Sequence, residues 1–261
     1  MYKKIVFVFI IILIFFYISP LYPSYYKELK GSSIDNIPFT EKEELTYHIT
    51  WMGISAGTAK MCIKEKINKW NKELYHIASQ ADSSEFVSLI YKVKDRVHSY
   101  IDTSGIYPWY YSIKQREGRY RANRIIIFDQ ENNKAFFTKN DNPPREFSVP
   151  SMVQDPLSTL YFLRTKDLTI GKSVYIDTFS GKKTHRVEVQ IVKREKLKTI
   201  FGKIDTILTK AILENIDFKG IFRHKGNIFI WLTNDKKKLP VMMKTRIFIG
   251  SVNARLIDYK E

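Results

Sequence analysis

Apolar and polar residues alternate along most of this chain, and the alternation begins near residue 45. In its first stretch, Leu45, Tyr47, Ile49 and Trp51 occupy every second position. A period of two is typical of half-buried β-strands, because successive side chains of a strand point to opposite faces of the sheet. The pattern recurs about every ten residues, with Gly, Asn or Asp in most gaps. We therefore predict a mainly β fold, in which a large antiparallel sheet forms a sandwich, a barrel or a half-barrel.

The predicted strands cover most of the chain after residue 44. In order, they span residues 45–51, 59–63, 75–79, 93–101, 109–115, 124–128, 134–138, 173–177, 185–194, 203–213, 228–232, 241–247 and 252–258. A loop at residues 68–72 is expected between the second and third strands. One medial α-helix is predicted, because Asp155 suits an N-cap, Pro156 suits the first helical position, and apolar residues recur at helical spacing up to Arg164. Residues 84–91 fit either a short helix or a strand.

The N-terminus has the layout of an export signal. Lys3 and Lys4 precede an unbroken apolar run over residues 5–18, followed by Ser19 and Pro20. The run is shorter than the roughly 20 apolar residues of a spanning helix, which favours a cleaved signal peptide at residues 1–24 over an uncleaved N-terminal anchor. No cysteine lies directly after the run, which excludes a lipoprotein. We expect a linker at 25–40 and a single β domain at 41–261, located in the periplasm or attached to the inner membrane.

The chain is strongly basic, with 43 Lys and Arg against 27 Asp and Glu in 261 residues. At 44% hydrophobic residues it is too apolar to be disordered. Residues 1–24 contain two of the basic residues, Lys3 and Lys4, and no acidic residue, so the excess belongs to the exported part. The basic residues are scattered, which makes nucleic acid an unexpected partner. Two interpretations stay open: a solvated lysine-rich surface, or attraction to an anionic membrane surface or wall polymer.

A set of short motifs runs through the chain in a fixed order. They are residues 44–47, 51–59, 94–96, 99–102, 117–120, 128–129, 155–158, 161–164, 218–220, 231–233 with Asp235, 239–241 and 249–252. Together these motifs resemble the bacterial domain-of-unknown-function family numbered 3108, over about residues 41–257. The resemblance implies an exported, largely antiparallel β protein. It implies no established activity and no catalytic residues.

Sequence motifs for metal binding or covalent catalysis are absent. The histidines His48, His76, His98, His185 and His224 are widely separated, and none has another His or a Cys at i+2 or i+4. Cys62 is the single cysteine and has neither a partner thiol nor a nucleophile motif. No nucleophile elbow, P-loop or dinucleotide fingerprint occurs. We therefore expect neither a metal nor a cofactor.

The most distinctive charged pattern lies in the predicted strand at 93–101. In an extended chain, one face carries Arg96, His98, Tyr100 and Asp102, and the other carries Asp95, Val97, Ser99 and Ile101. With Glu117 and Arg119 on the next strand, the first face predicts either an acid–base cleft or a ladder of exposed ion pairs and hydrogen bonds. The carboxylates that could act in catalysis are Asp95, Asp102 and Glu117.

The predicted location and fold favour a non-catalytic binding or envelope-assembly module for a lipidic or glycan ligand. Aromatic-rich strands of a small barrel can line one such ligand in the interior of the sheet. The candidate ligand-binding residues are Tyr47, Trp51, Arg96, Tyr100 and Trp231. The alternatives are an envelope hydrolase that uses carboxylates, which would need two of them about 5 to 10 Å apart in a polar cleft, and a purely structural interaction module. Partner proteins are not predicted.

Overall fold

The structure is a computed structural model that describes residues 34, 36–212, 227–247 and 250–261. These residues form one sheet of 14 strands and two short helices, α1 (Glu85–Tyr91) and α2 (Ser158–Arg164). The strands are β1 (Glu44–Trp51), β2 (Ile54–Lys69), β3 (Lys72–Ser83), β4 (Lys94–Asp102), β5 (Pro108–Glu117), β6 (Tyr120–Asp129), β7 (Lys134–Lys139), β8 (Arg145–Ser148), β9 (Ser173–Phe179), β10 (Thr184–Thr199), β11 (Gly202–Ile212), β12 (Ile228–Thr233), β13 (Pro240–Arg246) and β14 (Ser251–Lys260). The prediction of a mainly β protein with a large antiparallel sheet is confirmed.

Strand order follows the chain in two halves that meet at β1 and β14. The order runs from β8 through β1 to β14 and then back to β9, so β8 and β9 are the edge strands. All pairings between named strands are antiparallel. The sheet curls until its edges approach each other. The rings of Phe147 in β8 and Phe179 in β9 lie 5.4 Å apart, and Gln154 forms a parallel bridge with Thr178 of β9. The result is a barrel-like sheet.

The interior of the curled sheet is filled by side chains of alternate strand residues. In β1, Leu45, Tyr47 and Ile49 are at most 3% exposed, as the period-two pattern predicts. The helix α2 and its preceding segment also lie inside, because Ser99 of β4 bonds to Asp155 while Thr178 of β9 bonds to Thr159. Burial of each large aliphatic side chain contributes roughly 1.5–3 kcal/mol, so this shared core is the main source of stability.

The medial helix begins later than the sequence predicts. It starts at Ser158 instead of Asp155, and Pro156 lies in a preceding turn. Asp155 nevertheless caps it, because Oδ1 accepts hydrogen bonds from the backbone N–H groups of Leu157 and Ser158 at 2.7 and 2.8 Å. The Ser158 hydroxyl accepts from the Asp155 N–H at 2.9 Å, which completes a reciprocal capping box. The capping function was correctly predicted, and the first regular turn is displaced.

A two-residue turn replaces the predicted loop at 68–72. β2 and β3 remain paired up to Lys69 and Lys72, and Trp70 and Asn71 have φ values of 54° and 56°. Positive φ at both central residues is the geometry of a type I′ hairpin, whose twist matches that of the flanking strands. The short edge strand β8 was not predicted, because its four residues are too few to show an alternating pattern.

The turns of the meander alternate between two ends of the sheet. One end carries the turns at residues 52–53, 84–93, 118–119, 140–144 and 180–183, and we call it the α1 end. Residues 84–91, whose sequence fits either a short helix or a strand, form α1 and its N-cap. Its N-cap is Ser84, whose Oγ accepts from the Val87 N–H at 3.3 Å.

The predicted N-terminal segment at 1–24 lies outside the described residues, as does most of the predicted linker at 25–40. In the described part of that linker, Phe39 is 4% exposed and packs edge-on against the rings of Tyr75 and Tyr161. This contact attaches residues just before 41 to the core. Neither helix in the part of the chain that the structure describes has the length and apolar character needed to cross a membrane.

Candidate functional site

A groove crosses the outer face of the sheet where β12, β13, β14 and β1 lie side by side. Strand pairing aligns one row of residues across these strands: Trp231, Met242, Arg255 and His48. The adjacent row, nearer the α1 end, consists of Phe229, Lys244, Asn253 and Thr50. Apart from Phe229, these residues line the groove, whose volume is about 400 Å³. That volume is in the usual range for small-ligand sites.

The groove combines an indole ring with two cationic side chains. Trp231 is half-buried, and its Nε1 donates to Glu195 Oε1 at 2.7 Å, which fixes the plane of the ring. Arg255 is exposed, and its Nη1 donates to the Lys198 carbonyl oxygen at 2.9 Å. No acidic side chain belongs to the described residues that line the groove, and the adjoining Glu195 is paired with Lys193 at 2.9 Å. Lys244 and Arg255 therefore set a positive local potential. Such a surface favours a ligand with an anionic group beside a flat or apolar part.

The predicted ligand-binding residues do not form one site. Trp231 lines the groove. Tyr47 is completely buried in the core, where its hydroxyl donates to the Pro240 carbonyl oxygen at 2.8 Å. Trp51 is partly buried and packs against the same core. Tyr47 is therefore a packing residue in this structure, because its ring is buried and its hydroxyl bonds to the backbone within the core.

Arg96 and Tyr100 lie on the outer face of β4, three strands away from β1. Arg96 Nη2 donates to both carboxylate oxygens of Asp82, at 2.8 and 2.9 Å. The Tyr100 ring lies 5.3 Å from that of Tyr110, and Lys69 Nζ lies 5.0 Å from its centroid. These contacts form an ion pair and an aromatic cluster with a neighbouring cation, separate from the groove.

Two histidines meet on the same outer face although they are far apart in sequence. His76 Nε2 and His98 Nδ1 are 2.9 Å apart, which is a hydrogen bond between the two rings. Burial, the neighbouring His98 and the Lys64 charge lower the pKa of His76 to about 4. The pair is therefore neutral near neutral pH.

The inner face of β4 carries a buried carboxyl pair. Asp95 and Glu117 are 1% and 2% exposed, and β4 and β5 bring them together beneath Tyr91. Asp95 Oδ1 accepts from the Arg116 N–H at 2.8 Å, and Glu117 Oε1 accepts from Gln115 Nε2 at 2.9 Å. Burial, and then the charge of Asp95, raise the pKa of Glu117 to about 8. Glu117 is thus protonated at neutral pH and interacts with the Asp95 carboxylate as an acid.

Asp102 lies on the opposite face of the sheet from Asp95 and Glu117. Its Oδ1 accepts from the Ser104 N–H, the Ser104 hydroxyl and the Gly105 N–H at 2.9, 2.6 and 3.0 Å. Burial acts to raise the pKa of Asp102, but these hydrogen bonds outweigh it and lower the pKa. The residue therefore stabilises the turn between β4 and β5. Because the sheet separates Asp102 from Glu117, the three carboxylates do not share a cleft.

Ser99 and Asp155 form a buried pair that sequence reasoning did not connect. Ser99 Oγ donates to Asp155 Oδ2 at 2.5 Å, and both residues are 0% exposed. Burial raises the pKa of Asp155 to about 6, against the opposing effect of its hydrogen bonds from Ser99, Ser158 and Leu157. The pair joins β4 to the start of α2 in the core. Short sequence motifs could not show this pair, since it depends on where the medial segment enters the curled sheet.

Metal ligands do not converge in the described part of the chain. No group of three or more His, Cys, Asp or Glu side chains there is arranged to hold a metal ion. His224 lies outside the described residues. Cys62 is partly buried on β2, and burial raises the pKa of its thiol.

The fold and the groove define a class: a barrel-like antiparallel β protein with an internal helix and a basic groove on its outer face. A family model described as "Protein of unknown function (DUF3108)" matches residues 46–257. The chain belongs to this family, as its ordered motifs suggested. No curated protein matches the chain significantly.

Two solved structures were found to be similar to this chain to different degrees. A β-barrel-like protein of the domain of unknown function DUF1849 from Brucella abortus is similar with a TM-score of 0.56 at 12% identity, over 84% of this chain and 97% of that one. A protein with a YmcC-like fold from Bacteroides fragilis has a TM-score of 0.39 at 8% identity, over 87% of this chain and 99% of that one. The Brucella structure supports the barrel-like fold.

Proposed function

We propose that this protein is an exported, non-catalytic binding module of the cell envelope that holds an anionic glycan or lipid headgroup in its outer groove. The observation that carries the proposal is the position of Trp231 in a row with Arg255 and next to Lys244, in a groove of about 400 Å³. An indole face stacks on a sugar ring or covers an acyl chain. The two cations bind a phosphate or carboxylate by charge-assisted hydrogen bonds.

Export is supported by the sequence of the N-terminus. The basic pair Lys3 and Lys4 and the apolar run that follows are features of a signal for the periplasm. The envelope is rich in anionic glycans and lipids, and a basic protein is attracted to such molecules by long-range electrostatics. Location and groove chemistry therefore favour the same class of ligand.

Burial argues against the hydrolase alternative. Asp95 and Glu117 are almost inaccessible to solvent. Asp102 lies on the other face of the sheet, where its carboxylate accepts hydrogen bonds from a turn. A general acid or base must come within hydrogen-bond distance of its substrate. A substrate could reach Asp95 and Glu117 only if the core opened. A ligand in the outer groove needs no such change, because the groove is on the surface.

Titration with water-soluble anionic probes tests the proposal. Two probes distinguish a lipid ligand from a glycan ligand. The first is a short-chain phosphatidylglycerol below its micelle concentration, and the second is a uronate-containing oligosaccharide. We expect one of them to bind, and we expect Lys244→Gln or Arg255→Gln to lower its affinity by about tenfold, because each loses one charge-assisted contact. Calorimetry measures the affinity.

The matched control is Lys114→Gln, an exposed lysine on the outer face of β5. Its affinity should stay within about twofold of the wild type, since exposed charges more than a Debye length away are screened. Failure of both probes to bind would contradict the proposal. An equal loss in the control variant would also contradict it, because the attraction would then be diffuse.

A further inference from the structure

Large apolar side chains are exposed together at the α1 end of the sheet. Met52 lies in the turn between β1 and β2 and Ile54 follows the turn, and they are 60% and 52% exposed. On α1, Phe86, Leu89 and Ile90 are 62%, 85% and 59% exposed. We call these five residues the apolar rim. Contiguous exposed apolar side chains usually mark a contact surface, whereas isolated ones are common on any protein.

The two parts of the apolar rim are held against each other. The Ser84 N–H, at the start of α1, donates to the Ala56 carbonyl oxygen of β2 at 2.8 Å, and Ser84 Oγ donates to the Ser55 carbonyl oxygen at 3.2 Å. Tyr91, at the end of α1, is buried against the core. Positions 86, 89 and 90 therefore form the outward stripe of the helix, beside the turn that carries Met52 and Ile54.

The charge around the apolar rim is mostly positive. The described turns of the α1 end carry the basic residues Lys92, Arg119, Lys182 and Lys183 and the acidic residues Glu85 and Asp141. The whole chain has a formal net charge of +16. Apolar side chains surrounded by basic ones are typical of surfaces that bind the interface of an anionic bilayer.

We propose that the apolar rim docks the α1 end of this protein on an anionic phospholipid bilayer. The position of the groove agrees with this orientation. Thr50 and His48 precede Met52 by two and four residues, so along β1, at about 3.3 Å per residue, this edge of the groove lies roughly 7 to 13 Å from Met52. Apolar side chains of interfacial proteins enter a bilayer by about 5–10 Å, which leaves the groove at the level of the headgroups. This last step rests on the proposed function, whereas docking itself does not.

The first described residue, Ile34, lies away from the apolar rim. The Ile34 N–H donates to the Ser104 carbonyl oxygen at 3.0 Å, in the turn after β4 at the opposite end of the sheet. Residue 34 therefore lies at the end of the sheet opposite the apolar rim.

Vesicle cosedimentation of the full chain, purified from the envelope, tests the docking surface. The vesicles contain about 30% phosphatidylglycerol in phosphatidylcholine, with pure phosphatidylcholine as the comparison. We expect the double variant Leu89→Ser/Ile90→Ser to lower binding to the anionic vesicles by about tenfold or more, because two apolar side chains no longer enter the interface. Thermal unfolding should match the wild type, since both side chains are exposed in the folded protein.

The control is Ile170→Ser/Ile200→Ser, which removes two apolar side chains that are 41% and 44% exposed in turns at the opposite end of the sheet. It should bind vesicles within about twofold of the wild type. Unchanged binding by the rim variant would overturn the proposal. Loss of a dimer in the rim variant, with unchanged vesicle binding, would also overturn it and assign the surface to a second copy of the chain.

The experiments distinguish a failure of the groove proposal from a failure of the docking proposal. The rim variant should still bind the water-soluble anionic probe in the groove, because positions 89 and 90 do not line it. Lys244→Gln should bind that probe about tenfold more weakly yet retain most vesicle binding. If neither soluble probe binds but the rim variant loses vesicle binding, the groove assignment is wrong and the docking surface stands.

Discussion

The buried pair Asp95 and Glu117 makes a sharp prediction about stability and pH. Burial raises the pKa of Glu117 to about 8 from its ordinary value near 4.5. Between these two values the folded protein holds a proton that the unfolded chain has released. The contribution of Glu117 to stability must therefore fall as the pH rises through this interval, because unfolding then releases a proton.

The replacement Glu117→Gln isolates this effect. Glutamine imitates the protonated acid and keeps a donor for the Asp95 carboxylate, but it does not titrate. One proton changes stability by up to about 1.4 kcal/mol per pH unit, and the slope weakens near the folded pKa. From about pH 6.5 to about pH 8, the variant should gain about 1.5 kcal/mol relative to the wild type.

Urea unfolding of both proteins across this interval measures the difference. The lowered pKa of His76 has the opposite effect on stability, but both proteins share it and it cancels. Glu131→Gln, which removes a carboxyl group that is 71% exposed, should keep the wild-type dependence on pH. If the stability difference between Glu117→Gln and the wild type changed by less than about 0.5 kcal/mol, the buried proton would not exist.

The remaining predictions concern buried polar contacts, both measured by urea unfolding. Arg164 donates to both carboxylate oxygens of Glu43 at 2.6 and 2.7 Å, and both side chains are 1% exposed. Arg164→Met should cost about 3–5 kcal/mol because it leaves the Glu43 charge buried and unpaired, and the further change Glu43→Leu should recover much of the loss. Asp155→Ala should cost about 2–4 kcal/mol, more than the roughly 1 kcal/mol of an exposed helix cap, because Ser99 also loses its buried acceptor. A cost near 1 kcal/mol would mean that the Ser99 contact contributes nothing.

Local patterns of the sequence were sufficient for the strands and for the direction of their side chains. In β4 the burial of Asp95, Val97, Ser99 and Ile101 and the outward position of Arg96 follow directly from period-two alternation. The cap at Asp155 was also readable, since capping depends on residues within one helical turn. These features depend only on residues that are close together in the chain, so the sequence alone is enough to predict them.

The groove could not be located in the same way. It requires that β12, β13, β14 and β1 be adjacent, and that their register align Trp231 with Arg255 and His48. A shift of register by one residue would turn each of these side chains to the other face. Register between strands distant in sequence is set by the packing of the whole core, so it is not encoded in any single strand.

The sequence by itself therefore determined the fold class, the family and the inward or outward direction of most strand residues. The tertiary structure alone decided which of those residues meet: Glu117 with Asp95 inside the sheet, His76 with His98 outside it, and Trp231 with two cations in a groove. The physical reason is that alternation along a strand is a local property, whereas contacts between strands depend on how the sheet curls around α2 and on the register that this core imposes.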